Sequence, residues 1–173
     1  MKNLNKTLLA ATLTAALSLS SAIAQTPNPL QNKVRHELVM LPYFGVFDNL
    51  SYRIDNGVVT LLGEVTRHTL KSDAGRVVTR LEGVKAVVNN IEVLPLSPFD
   101  DRIRIATYRA IYGYGPLQRY ALGTQPSIRI IVKNGNVSLE GIVNTAMDRT
   151  LVNMRANQVP GVFSVSNELQ VGS

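Results

Sequence analysis

Asn56-Gly57-Val58-Val59-Thr60-Leu61-Leu62-Gly63-Glu64-Val65 returns 78 residues later as Asn134-Gly135-Asn136-Val137-Ser138-Leu139-Glu140-Gly141-Ile142-Val143. Each copy reads as a tight turn followed by a strand. Asn-Gly tolerates positive φ at both central positions, as a type I′ hairpin turn requires. Behind it, Val59, Leu61, Gly63 and Val65 alternate with Val58, Thr60, Leu62 and Glu64, which is the period of a strand with one buried face. A glycine on that face leaves room for something to approach the backbone closely.

The repeat extends beyond the strand. The same shift carries Gly83, Val84, Val87, Asn89 and Val93 onto identical residues at Gly161, Val162, Val165, Asn167 and Val171. The identities fall on turns, caps and one face of each strand, while polar positions mostly differ. What repeats is therefore the fold.

Around the repeated stretch the chain reads in order. Asn28 and Pro29 suit an N-cap and first helical position, and Leu30, Val34, Leu38 and Leu41 lie on one helical face until Pro42 stops it. Tyr43-Phe44-Gly45-Val46-Phe47 is an apolar connector, expected to plug the core under the sheet. Leu50, Tyr52 and Ile54 mark the first hairpin strand. Thr66 is expected to cap a helix reaching about Leu81, with Gly83 at its left-handed end. Val87, Ile91 and Val93 mark a third strand, interrupted by Asn89. In the second unit, Asp100 or Asp101 is expected to cap a helix from about Arg102 to Tyr112. Ile128, Ile130 and Val132 then open the hairpin, Asn144 caps the matching helix, and Val165 to Val171 close the sheet. A strand-helix-strand connection favours a right-handed crossover, so the third strand should lie parallel to the second.

The expected fold class is α+β: two tandem α-β-β-α-β units, each a small mixed three-stranded sheet backed by two helices. Lys2 and Lys6, an apolar stretch from Thr7 to Leu19, and Ala22-Ile23-Ala24 read as a signal peptide over residues 1–24, cleaved before Gln25. Domain one is expected over 25–94, a linker over 95–99, and domain two over 100–173, with a Tyr/Gly-rich insertion at 113–127. The expected location is the periplasm or the exterior, with no transmembrane segment in the mature chain.

The chain has no cysteine, which excludes disulfides and thiol catalysis. Net charge is +6, and loss of residues 1–24 with their two lysines leaves +4. That bias suits an anionic surface and is too dispersed for nucleic acid. His36 and His68 stand alone, without the spacing of a metal pair, so no metal or cofactor is expected. Asp100-Asp101 could mimic a catalytic carboxylate pair, but capping accounts for them more simply. Asn89 and Asn167, as buried amides, are expected to bond nearby backbone. No enzymatic motif is present.

These residues resemble the BON-domain family, named for bacterial osmotically induced periplasmic and nodulation proteins. The resemblance rests on Asn56-Gly57, Val59, Leu61, Gly63, Val65, Gly83-Val84, Val87, Asn89 and Val93, and on their second copies at Asn134-Gly135, Gly141, Gly161 and Asn167. It implies an α/β sandwich, periplasmic residence, and a role in binding phospholipid or supporting the envelope under stress. It carries no catalytic residues.

Two surfaces follow from where the copies differ. Arg102, Arg104 and Arg109, with Tyr112, Tyr114, Arg119 and Tyr120, form a candidate surface for anionic phospholipid or an envelope protein, because guanidinium pairs with phosphate and tyrosine suits a membrane boundary. The competing reading has the tyrosines packing the insertion onto its own domain. Val58 and Leu62 form the second candidate, since Asn136 and Glu140 replace them in the other unit. That apolar outer face should be covered by unit two or by another copy, and docking or self-association through it is the alternative function.

Overall fold

The computed structural model describes residues 29–123 and 125–172. The expected signal peptide and the Asn28 cap lie outside these residues. The first unit runs α1 (Pro29–Val39), β1 (Asn49–Asp55), β2 (Val58–Val65), α2 (His68–Thr79), β3 (Ala86–Asn89) and β4 (Glu92–Val93). The second repeats it as α3 (Pro98–Tyr112), a 3-10 helix (Gly115–Ala121), β5 (Ile128–Lys133), β6 (Asn136–Val143), α4 (Ala146–Asn157), β7 (Ser164–Asn167) and β8 (Gln170–Val171). In each sheet the hairpin strands pair antiparallel, and the later strands lie parallel to the central one.

Both turns take the expected geometry, with φ of 50° and 86° at Asn56 and Gly57, and 53° and 78° at Asn134 and Gly135. What approaches the strand glycines is their own partner strand. A Cβ on Gly63 would lie 2.1 Å from the Asn49 carbonyl oxygen, and one on Gly141 would lie 2.0 Å from that of Ser127.

The third strand is split in both units. Asn89 Nδ2 donates to the Lys71 carbonyl of α2 at 2.7 Å, and Asn89 Oδ1 accepts from Ile91 N at 3.3 Å. Asn167 makes the same pair of bonds, to Arg149 O at 3.0 Å and from Leu169 N at 3.3 Å. The side chain replaces strand geometry for one step and ties the sheet edge to the helix behind it. Each sheet therefore holds four strand segments rather than three.

The caps differ from expectation. Arg67, not Thr66, occupies the N-cap of α2 and makes no side-chain capping bond. Thr66 instead donates its amide and hydroxyl to the buried Asp48 carboxylate at 2.6 and 2.8 Å. Thr145, not Asn144, caps α4 by accepting from Asp148 N at 3.0 Å. Ser97 caps α3 by accepting from Asp100 N at 3.1 Å, with Pro98 in the first turn. The helix thus begins within the expected 95–99 linker. The α2 helix ends at Thr79, with Arg80 as C-cap, and Gly83 (φ 92°) serves the turn beyond it.

Each unit has its own core. Val34 and Leu38 of α1 and Leu70, Ala74 and Val78 of α2 cover Val59, Leu61 and Val65. Ile103 and Ile111 of α3 and Val152 and Ala156 of α4 do the same for Val137, Leu139 and Val143. The apolar connector is not the plug of one core. Phe44 packs on the first, whereas Val46 and Phe47 pack on the second. Val46 O accepts from Ile130 N of β5 at 2.8 Å, Gly45 O accepts from Arg129 Nη1 at 2.9 Å, and the Arg129 guanidinium lies 4.6 Å from the Phe44 ring centre. Tyr43 remains exposed. Across the seam, Lys133 pairs with Glu92 at 2.6 Å.

Candidate binding surface

The α3 helix divides sharply by face. Inward, Ile103, Thr107 and Ile111 are buried. Asp100 is fully buried and accepts from the amides of Asn134 and Gly135 at 2.9 and 2.8 Å, so this carboxylate holds the second hairpin turn. Asp101 pairs with Arg104, whose Nη2 also donates to Val132 O at 2.6 Å. The two aspartates thus have separate partners and neither caps the helix. Outward, Phe99, Arg102, Ile105 and Arg109 are exposed at spacings of three, three and four, one side of a helix. Arg102 lies 5.7 Å from the Phe99 ring centre. Phe163, 86% exposed, stands beside Phe99, and both rings' residues come to 3.6 Å of the position a Gly135 Cβ would take.

The insertion folds onto its own domain. Tyr112 donates to Ile128 O at 2.7 Å, and burial pushes its hydroxyl pKa well up, against the opposing Ile128 bond and the Arg129 charge. Tyr114 is half-buried under the Arg155 guanidinium, 4.6 Å from its ring centre. Leu117 and Tyr120 of the 3-10 helix are buried. Tyr120 donates to Asp148 Oδ2 at 2.8 Å and accepts from Asn144 N at 2.8 Å. Arg119 reaches both Asp148 oxygens at 2.6 Å, and Thr145 adds a bond at 2.7 Å. Burial pushes the Asp148 carboxyl up, but the bonds from Thr145, Tyr120 and Arg119, with the Arg119 charge, outweigh it and hold the carboxyl below its ordinary value.

Of the seven residues expected on one surface, Arg104, Tyr112 and Tyr120 are therefore buried, Tyr114 is half-buried, and Arg119 is tied to Asp148. Arg102 and Arg109 face solvent. Among the described residues neither makes a side-chain hydrogen bond or ion pair. Phe99, Ile105 and Phe163 join them without having been singled out from the sequence. A signal existed for one: Phe163 occupies the position of Lys85 in the first copy, an aromatic ring where its counterpart carries a charge.

The second candidate face is uneven. Val58 and Leu62 are half-buried. At one end Val88 is open to solvent. At the other, Glu64, Glu92 and Leu94 face Ile131, Asn136 and Ser138 across a cleft between the units. Burial, then the neighbouring Glu92 charge, raises the Glu64 pKa. Burial, then Glu168 and Glu64, raises that of Glu140. His36 and His68 are exposed on separate helices. Among the described residues no three acidic, histidine or cysteine side chains are placed to hold a metal ion, and no helix is long and apolar enough to cross a membrane.

Two solved structures of CdsD, described as a structural protein of the type III secretion system of Chlamydia trachomatis, are similar to this chain. One, its C-terminal domain, is 14% identical and covers 84% of this chain and 98% of its own, with a TM-score of 0.34. The other is 15% identical and covers 83% and 93%, with a TM-score of 0.33. Superposition at that level is loose. No curated protein matches the chain. The family model for the BON domain matches residues 28–95 and again 118–173. Each match contains one Asn-Gly turn, its glycine-bearing strand and the split third strand; the exposed face of α3 falls between the two. With well over half of its length matched in two copies, the chain belongs to the BON domain family.

Proposed function

We propose that this is an exported, non-enzymatic envelope protein that binds anionic phospholipid through the outward face of α3. The observation that carries this reading is the stripe Phe99, Arg102, Ile105 and Arg109, where among the described residues neither arginine has an internal polar partner while six other basic residues of the second unit each have one. Guanidinium groups free of internal partners can meet phosphate headgroups, each contributing about 1 kcal/mol near an anionic surface. Phe99 and Phe163 supply the apolar contact that a headgroup boundary accepts. Neither term suffices alone, so association should be weak and salt-sensitive.

Vesicle sedimentation tests it. The protein should sediment with vesicles of phosphatidylglycerol and phosphatidylcholine and remain in solution with phosphatidylcholine alone. Arg102→Glu with Arg109→Glu should abolish the difference, and Phe163→Lys should reduce it. Undiminished sedimentation of the double variant would remove this face from the reading.

A further inference from the structure

The two sheets end differently at their first strands. β5 is an edge strand, and the first unit's connector lies against it through the bond from Ile130 N to Val46 O. β1 is the matching edge of the first sheet. Tyr52 stands opposite Leu61 as Ile130 stands opposite Leu139, so the same register turns the Tyr52 amide outward. No backbone carbonyl outside its own sheet meets that amide among the described residues. Beside it runs a groove of about 350 Å³ between α1 and β1. Leu38, Phe44, Leu50 and Tyr52 form its apolar wall, Arg35 and Arg129 contribute two positive charges, and among the described residues no acidic side chain lines it.

We propose that the β1 edge docks a chain segment of another protein, apolar and acidic in character. Such a segment gives a backbone carbonyl to the Tyr52 amide, an apolar side chain to Leu38, Phe44 and Leu50, and a carboxylate to Arg35 and Arg129. An edge strand with unpaired backbone groups is a template for such pairing, and guanidinium-carboxylate pairing fixes register. The repeat supplies the precedent. In the second unit the equivalent edge is already filled, by the aromatic segment Phe44-Gly45-Val46-Phe47. A second copy of this chain fits less well, because the residues that would present themselves by the same repeat, from Ala121 to Ile128, contain no carboxylate.

The test uses a synthetic peptide of residues 42–48, Pro-Tyr-Phe-Gly-Val-Phe-Asp, acetylated at its N-terminus and amidated at its C-terminus, so that it carries the apolar character of the filled edge and a single carboxylate, the Asp side chain. Titrated into 15N-labelled protein, it should shift the amides of β1 and slow exchange of the Tyr52 amide at least tenfold at saturation. Arg35→Glu, on an exposed side chain, should weaken binding at least tenfold while leaving the rest of the spectrum in place. Replacing the peptide's aspartate by asparagine should weaken it similarly. No shift in β1 at millimolar peptide, or equal binding by Arg35→Glu, overturns the proposal. Protection of the Tyr52 amide that grows with protein concentration alone would make a second copy the occupant, and would equally overturn it.

Discussion

Replacing Gly141 by alanine tests the central strand where both units depend on it. Its φ of 118° is a conformation that residues with a side chain rarely adopt, and such backbone strain costs about 1–3 kcal/mol. The new Cβ would lie 2.0 Å from the Ser127 carbonyl oxygen, whereas ordinary contact begins near 3.4 Å. The obstacle is backbone at the residue that leads into β5, so no rotamer change relieves it. β5 must move away from β6, at an overpacking cost of about 1–3 kcal/mol. Together these reach about 2–6 kcal/mol, a large share of the roughly 5–15 kcal/mol that holds a domain. At about 2–4 °C per kcal/mol for a chain of this length, a fall in Tm of about 4–24 °C follows. Gly63→Ala, with Asn49 O at 2.1 Å, should behave alike. Gly115→Ala is the control, since nothing lies within 4 Å of its added Cβ, and it should stay within about 0.5 kcal/mol of wild type. Thermal unfolding followed by circular dichroism reads all three. If Gly141→Ala melts within about 2 °C of wild type, or if Gly115→Ala is equally damaging, the close-approach argument is wrong.

Three further outcomes follow from the charges and the seam. Asp148 has its folded pKa held below the ordinary 3.8, so its contribution is full above that value and is lost as pH falls through the folded one. Asp148→Asn should lower Tm at pH 7, and the gap to wild type should close in acid. Glu64 has its folded pKa raised above the ordinary 4.5, so its contribution is full below that value and declines as pH rises through the folded one. Glu64→Gln should therefore raise Tm at pH 7 and bring little change below pH 4.5. Phe47→Ala should cost about 1.5–2.5 kcal/mol, roughly half the penalty for a fully buried phenylalanine, because Phe47 is half-buried against the second core. Urea unfolding should show that loss, while Tyr43→Ala, at a 73% exposed ring, should show almost none.

The repeated turn and strand were legible because their constraints are local. Asn-Gly names its own φ values, and the alternation from Val58 to Val65 names its own buried face. The connector was not legible, since an apolar run reads the same whichever core it serves. The partners of the three buried carboxylates, Asp100 among them though it was read as a helix cap, were not legible for a related reason. Asp48 binds Thr66, Asp100 binds Asn134 and Gly135, and Asp148 binds Arg119 and Tyr120, all partners 18 or more residues away. On α3 the face of each arginine was readable. Arg104 shares its side with Thr107 and Ile111, whereas Arg102 and Arg109 are seven residues apart on the other. Grouping all three by composition merged an internal hydrogen-bond donor with two solvent-facing charges.

The energetics of the seam decide how the two candidate surfaces relate. On the sheet side, Lys133 and Glu92 are each nearly half exposed, which limits their pair to about 0–1 kcal/mol. Glu64 and Glu140 oppose it there, because each raises its pKa partly through neighbouring carboxylates. On the connector side, Val46 and Phe47 bury apolar surface in the second core, Ile130 gains a backbone partner, and Arg129 stacks on Phe44. Phe47 also meets Tyr108 of α3 edge to face, with ring centres 6.2 Å apart. Burial and the backbone bond outweigh a screened ion pair beside like charges. The units are therefore held through residues 44–47, and any parting begins at the acidic cleft. That same segment forms the wall of the β1 groove with Phe44 and supports α3 with Phe47. A ligand seated against Phe44 would touch the element that also supports α3 through Phe47.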